Sequence, residues 1–263
     1  IKFGDHKLIT QLHNNYSKYN HYIKISLSIL AFSFLVFGLM NLQFGSKIEK
    51  VKREGIDVVL AIDLSNSMMA EDIKPNRLER TKQFIYRFLE KLENDRIGVI
   101  VFAGNAYVQM PLTIDYSAAK LFLSNLNTSM LPTQGTAIGE AITLSRDMFD
   151  EETDKHKTLI ILSDGENHEG DVVEISKEAN KEGIIIHSVG IGTPKGAPIP
   201  IYRGNQIVDF QKDKNGSIIL SKINETMLQE IASFANGDYF RVSNSGDNLK
   251  ELMKLIGAQE KKE

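Results

Sequence analysis

Cysteine is absent from this 263-residue chain. That removes disulfides, thiolate metal sites and a cysteine nucleophile, and it leaves the redox compartment open. Blocks of like charge are absent too. Lys and Arg number 31 against 34 Asp and Glu, a formal net charge of −3, so no basic stripe exists to track a phosphate backbone and nucleic acid is not an expected partner. The chain has no Gly-x-Ser-x-Gly elbow, no P-loop and no His-Glu-x-x-His, the local patterns of three large enzyme classes. His156, His168 and His187 stand singly and read as surface or core residues rather than ligands. Gly190-Ile191-Gly192 follows an apolar run but leads into Thr193-Pro194 rather than a helical pattern, so it does not read as a dinucleotide-binding turn. The first residue is Ile1 rather than Met, as expected of a piece of a longer chain.

One long uncharged run is present, Ile25 to Leu42. With Ile23 and a snorkelling Lys24 it reaches the roughly 20 residues needed to cross a hydrocarbon core. Its serines can bond back to the helix backbone. The expectation is a membrane anchor over residues 23–44. Lys2, Lys7, Lys18 and Lys24 precede it and Lys47, Lys50, Lys52 and Arg53 follow it, so the flanking charges do not choose an orientation.

Beyond a charged linker, residues 45–54, strand and helix signals alternate. Short runs rich in β-branched or aromatic residues mark strands at Val58–Ile62, Ile97–Phe102, Thr158–Leu162, Ile184–Val189 and Tyr239–Val242. Ala106–Leu112 follows the turn Gly104-Asn105 directly and reads as an antiparallel edge. Helical periodicity covers Leu78–Leu92, Ser117–Leu126, Ala137–Phe149, Val172–Lys181, Glu225–Ala235 and Asp247–Leu255. Alternation of this kind gives an α/β, doubly wound, mostly parallel six-stranded sheet. Between the fifth strand and the next helix, Pro198–Tyr202, Gln206–Phe210 and Ser217–Leu220 are separated by the turns Arg203-Gly204-Asn205 and Asn215-Gly216. They read as a β-hairpin insertion, expected as a surface flap, with a docking edge as the other reading.

The chemistry gathers at strand ends, where ligands bind in open α/β sheets. Asp63-Leu64-Ser65-Asn66-Ser67 closes the first strand. Asp and Ser at such a turn serve either as helix N-caps or as oxygen ligands for a hard divalent cation. Two further segments add oxygen to the same edge. Thr133-Gln134-Gly135-Thr136 leads into a helix, and Thr158–Leu162 ends in Ser163-Asp164-Gly165. Three loops then offer Asp63, Ser65, Ser67, Thr136 and Asp164.

The Asp-x-Ser-x-Ser, the later Thr and the later Asp-Gly resemble the metal-ion-dependent adhesion site of von Willebrand factor A (VWA) domains, over about Glu54 to Gly257. The resemblance implies Ser65, Ser67 and Thr136 as direct ligands of Mg²⁺ (or Mn²⁺ or Ca²⁺), with Asp63 and Asp164 binding directly or through water. A coordination position remains for a carboxylate from a protein partner. Met68–Leu78, Phe3-Gly4-Asp5, Pro111–Asp115 and Gly196–Pro200 resemble the bacterial Bat (aerotolerance-type) membrane proteins. That likeness implies a piece between a first and a last span: a cytoplasmic segment 1–22, the anchor 23–44, the linker 45–54, a VWA domain 55–257 and a tail 258–263. Lys261-Lys262 in that tail reads either as a terminal charge pair or as the approach to the last span. The chain departs from the group in lacking an Arg-rich loop ahead of the anchor. The implied location is the bacterial inner membrane with the VWA domain extracytoplasmic. The implied partners are sibling VWA or TPR-containing membrane proteins and a MoxR-type AAA+ ATPase. The implied role is metal-dependent protein–protein interaction in a membrane complex for stress tolerance or envelope integrity, without catalysis. Two alternatives stand beside it: a metal-dependent hydrolase or phosphotransfer enzyme built on Asp63, and a scaffold with a vestigial metal site.

Overall fold

The computed structural model describes residues 18–39, 55–149, 155–166, 171–204, 206–243 and 248–259. The chain divides into two compact units, Ile1–Lys52 and Arg53–Glu263. Phe3-Gly4-Asp5, the linker 45–54, His168, Asn205 and Lys261-Lys262 lie outside the described residues.

The first unit contains helix α1, Lys18–Leu39. At 1.5 Å per residue its 22 residues are about 33 Å long, enough to cross a bilayer core. Its side chains are exposed all round, Phe32, Phe34 and Phe37 among them, so it has no protein core of its own to face. Ser28 and Ser33 donate their hydroxyls to the carbonyls of Lys24 and Ile29, each at 2.9 Å. Those bonds mask polar groups that hydrocarbon would otherwise penalise. The helix begins five residues earlier than the expected start at Ile23, and residues 40–44 of the expected span are outside the described residues.

The second unit is wound from β1 (Asp57–Asp63), α2 (Arg77–Leu89), β2 (Arg96–Phe102), β3 (Ala106–Thr113), α3 (Tyr116–Asn125), α4 (Ile138–Met148), β4 (Lys157–Ser163), α5 (Val172–Lys181) and β5 (Ile184–Ile191). The short strands β6 (Ala197–Pro198), β7 (Pro200–Arg203), β8 (Gln206–Phe210) and β9 (Leu220–Ser221) follow, then α6 (Glu225–Phe234), β10 (Tyr239–Val242) and α7 (Leu249–Gln259). Six strands form one sheet in the order β10-β5-β4-β1-β2-β3. Every pair is parallel except β2–β3, which the three-residue connection Ala103-Gly104-Asn105 makes antiparallel. β6 pairs with β9 and β7 with β8, outside the main sheet.

The alternation of side chains along β1 divides the core between two faces. Val58, Leu60 and Ile62 pack with Phe84, Ile85 and Phe88 of α2, Leu123 of α3 and Leu252 of α7. Val59 and Ala61 pack with Ile138 and Ile142 of α4, Ala179 of α5 and Ile231 of α6. β1 is buried along its whole length, as a central parallel strand must be.

The helix boundaries differ from the expected ones for physical reasons. α2 stops at Leu89, yet Leu92 remains buried. Periodicity tracked burial past the last helical hydrogen bond, before the chain turns at Asn94 with φ 66°. α7 runs on to Gln259 rather than stopping at Leu255, because Ile256 is packed into the core and outweighs the roughly 1 kcal/mol that Gly257 costs inside a helix. The expected start of α7 at Asp247 is outside the described residues. Asn76 caps α2, its side chain accepting from the Glu79 N–H at 2.8 Å. That contact holds an N-terminus for about 1 kcal/mol and places Arg77 at the first helical position.

Candidate functional site

β1 delivers Asp63 as its last residue. Parallel pairing puts Ile62 opposite Leu162, so Ser163 and Asp164 of the next strand arrive at the same edge. The chain leaves β1 toward β2 on one side and returns as β4 on the other. The gap between them is the point where the winding reverses, the usual ligand crevice of such sheets.

Asp63 is wholly buried. One carboxylate oxygen accepts the Ser65 N–H at 2.8 Å, and the other accepts the Ser163 hydroxyl at 2.6 Å. The first bond folds the motif back on itself. Burial, and after it the like charge of Asp164, push the Asp63 carboxyl up to about 7 against the opposing hydrogen bonds of Ser163 and Ser65. The Ser65 and Ser67 hydroxyls lie 2.8 Å apart, brought together by a 3₁₀ turn over Asn66–Met69. Thr136 comes from the loop before α4. That loop is tied down by the Gly104 N–H on the Thr133 carbonyl at 3.0 Å and the Ala137 N–H on the Ala103 carbonyl at 2.7 Å. Gln134 links the two loops, its side-chain oxygen accepting the Asn66 N–H at 2.9 Å.

A cleft of about 250 Å³ opens at this edge. Ser65, Ser67, Thr136 and Glu166 line it together with Ile199, Gln211 and Ile219 of the insertion. The structure thus brings the three predicted hydroxyls to one cavity wall. The two predicted carboxylates, Asp63 and Asp164, have no exposed surface and stand behind that wall.

Asp164 is held by a residue that sequence reasoning gave no role. Arg77 is fully buried, and its Nη1 donates to Asp164 Oδ2 at 2.8 Å and to the Ser221 hydroxyl at 2.7 Å. Its Nε and Nη2 grip the two carboxylate oxygens of Asp72 at 2.8 Å each. Burial works against the guanidinium charge, but the bonds to Asp72 and the charges of Asp164 and Asp72 outweigh it and raise its pKa. The same pairing holds Asp72 below the usual carboxylate range although burial acts in the opposite direction. Glu166 is raised by burial and by Asp164. Gly192 adopts φ +147°, and a Cβ there would meet the Arg77 guanidinium carbon at 3.1 Å, so the glycine makes room for the buried cation. One signal for Arg77 was available in the sequence. A cation in the first turn of a helix opposes the macrodipole and needs a carboxylate partner to justify its position.

Within this network Asp72, Asp164 and Glu166 share a single guanidinium, and Asp63 feels the like charge of Asp164. Among the described residues Asp63 makes no ion pair. No cluster of three or more His, Cys, Asp or Glu side chains is found among the described residues, so any cation here relies on hydroxyl as well as carboxylate oxygen. An oxygen-only set with excess negative charge fits a hard divalent ion and does not suit a thiophilic one.

Comparison with known proteins gives the same context. The von Willebrand factor type A domain matches residues 57–255. The chain is 43% identical to the conserved hypothetical protein BatB from Bacteroides thetaiotaomicron, with a TM-score of 0.75 over 79% of this chain and 100% of that one. It is 42% identical to an aerotolerance-related membrane protein from Bacteroides fragilis, solved with multiple mutations to serine. There the TM-score is 0.72 over 80% of this chain and 100% of that one. A UPF0353 protein of Nocardia farcinica is 26% identical over 244 residues, which are 86% of this chain and 68% of the relative.

Proposed function

Because the chain belongs to the von Willebrand factor type A family, and resembles the Bat-type membrane proteins within it, we propose that it is a membrane-anchored adhesion module that recognises a protein partner through a divalent cation. The observation that carries this reading is the cleft in which Ser65, Ser67 and Thr136 meet in front of the buried Asp63 and Asp164.

Ser65, Ser67 and Thr136 would hold Mg²⁺, Mn²⁺ or Ca²⁺ directly, and Asp63 and Asp164 directly or through water. The cation supplies a fixed positive charge and an open coordination position for a partner's carboxylate. The protein's own groups do the rest. Asp63 orients Ser65 through its N–H and Ser163 through its hydroxyl. Arg77 fixes Asp164 and neutralises part of the local charge. Gln134 keeps the Thr136 loop against the Asp-x-Ser-x-Ser loop. The Ser163 hydroxyl, which bonds to the Asp63 carboxylate, is buried and absent from the cleft lining, so binding accounts for the site better than hydrolysis or phosphotransfer.

The anchor is assigned to residues 23–44, within a segment whose helix α1 is long and apolar enough to cross a membrane. The VWA domain spans residues 55–257, between a linker 45–54 and a tail 258–263. The inner membrane, with residues 1–22 cytoplasmic and the VWA domain extracytoplasmic, is the arrangement that the Bat likeness favours. Sibling VWA or TPR-containing membrane proteins are the proposed partners at the cleft. A MoxR-type ATPase, being cytoplasmic, would act from the other side of the bilayer. Stress tolerance or envelope integrity is the proposed process. Affinity capture from native membranes, with Mg²⁺ and then with EDTA, tests the reading. A partner should be retained by the wild type in Mg²⁺, released by EDTA, and lost from Asp63→Ala. Equal retention in EDTA would assign recognition to another surface.

A further inference from the structure

The insertion is more than a flap beside the sheet. Its two stems are tied into the buried network of the site. Before it, Thr193 donates its N–H and hydroxyl to Asp72 at 2.7 and 3.0 Å. At its end, the Ser221 hydroxyl takes a hydrogen bond from Arg77 at 2.7 Å and lies 3.3 Å from Asp164 and 3.2 Å from Glu166. The Ser221 carbonyl also accepts from Arg77 at 3.0 Å. Further out, Tyr202 donates its hydroxyl to Glu71 at 2.5 Å.

The part that reaches the cleft is a single rung of backbone. The Gln211 N–H donates to the Ile199 carbonyl, and the Ile219 N–H to the Gln211 carbonyl, each at 2.9 Å. Those three residues are the ones the insertion contributes to the cleft lining. Ile199 is buried and Ile219 half-buried, so the cavity lined by three hydroxyls is also walled by two isoleucines. The remaining charged group in the lining is Glu166, an anion that repels any further acid next to the first.

We propose that the Ile199–Gln211–Ile219 rung is the specificity wall of the cleft. Its occupant is a partner segment in which one acidic side chain is flanked by apolar residues, rather than an acidic cluster or a polar loop. This rests on the reading of the cleft as a cation-dependent site. The carboxylate would meet the hydroxyl cluster and its loaded cation. The neighbouring side chain would bury apolar area on Ile219 and Ile199, while Gln211 offers an amide for the segment's backbone.

The test uses the full chain in nanodiscs and dye-labelled capped pentapeptides with a central Asp flanked by Leu, by Ser or by Asp, read by fluorescence anisotropy in Mg²⁺ and in EDTA. Thermal melts with Mg²⁺ run alongside. The Leu-flanked peptide should bind about tenfold more tightly than the Ser-flanked one, the effect of burying one aliphatic side chain, and the Asp-flanked peptide should be the weakest. Ile219→Ser should abolish the preference and Ile219→Val should keep it, with the Mg²⁺-induced rise in melting temperature the same in both variants. Mg²⁺-dependent binding without a Leu-over-Ser preference, or a preference that survives Ile219→Ser, overturns the specificity wall and leaves the cation site standing. A Mg²⁺ response in the melts with no Mg²⁺-dependent peptide binding also overturns the wall. No Mg²⁺ response in either measurement overturns both.

Discussion

Arg77 donates to Asp164 at 2.8 Å with both side chains sealed from water, across 87 positions of sequence. This pair connects the first helical position of α2 to the end of β4, and through Asp72 and Ser221 it fixes the insertion to the same point. Removing one partner of such a pair leaves an uncompensated buried charge. Arg77→Leu should therefore lower stability by about 3–5 kcal/mol, measured by urea unfolding of the folded chain. Arg77→Lys keeps a charge but cannot reproduce the two-pronged grip on Asp72, and it should fall between wild type and Arg77→Leu. A loss below 1 kcal/mol for Arg77→Leu would show that water enters and replaces the guanidinium.

Stability should fall on mild acidification because of His187. The ring is buried in β5, and its Nδ1 accepts the Asp238 N–H at 3.0 Å, which fixes that nitrogen as unprotonated. Burial lowers its pKa below the ordinary 6.5, with the charge of Asp238 opposing. The unfolded chain therefore binds a proton that the folded one resists. The contribution of His187 is fully present above about pH 6.5 and is lost as pH falls below it, at no more than about 1.4 kcal/mol per pH unit. Urea unfolding at pH 7.5 and pH 5.5 should show the drop. His187→Gln should flatten the profile between those values, and an unchanged profile in the variant would assign the slope to other groups.

Orientation is testable without any knowledge of the partner. Protease added to intact spheroplasts should digest the domain beyond residue 54 if it lies outside the cytoplasm. Protection until lysis would invert the arrangement and bring the cleft within reach of a cytoplasmic ATPase.

Much of this architecture was legible in the sequence because it depends on local signals. β10 at Tyr239–Val242 and α5 at Val172–Lys181 have the expected boundaries, since an aromatic pair with Val242, and for α5 an Asp N-cap and an apolar stripe, mark them within a few residues. The antiparallel edge β3 followed from its short turn. The insertion was visible from Gly204 and Gly216, whose φ values of 63° and 81° demand the residue found there. Asp63, Ser65, Ser67 and Asp164 were visible because they sit just after apolar strands, and Thr136 because it closes a Gly-containing loop at the mouth of a helix. The Arg77 network was not legible. Its partners come from separate segments, and nothing near Asp164 or Ser221 in sequence announces a contact with Arg77 from 87 and 144 residues away. For the same reason the insertion looked like a flap. Only the folded chain places Ile199 and Ile219 against the cleft that Ser65 and Thr136 begin.

The central claim is that Asp63, Ser65, Ser67, Thr136 and Asp164 form a cation site, and it is tested most directly by thermal unfolding in Mg²⁺, Mn²⁺ and EDTA. At a hundred times its dissociation constant a bound ion should add about 2.7 kcal/mol, a rise of roughly 5–10 °C for a domain of this size. The rise should be larger at pH 8 than at pH 6, because the cation displaces the proton that burial and Asp164 hold on Asp63 up to about 7. Asp63→Ala should abolish the response, and Thr136→Ala should weaken the ion's affinity by about tenfold or more while leaving the EDTA curve close to wild type. Identical melting temperatures for the wild type in Mg²⁺, Mn²⁺ and EDTA at pH 8 would contradict the account.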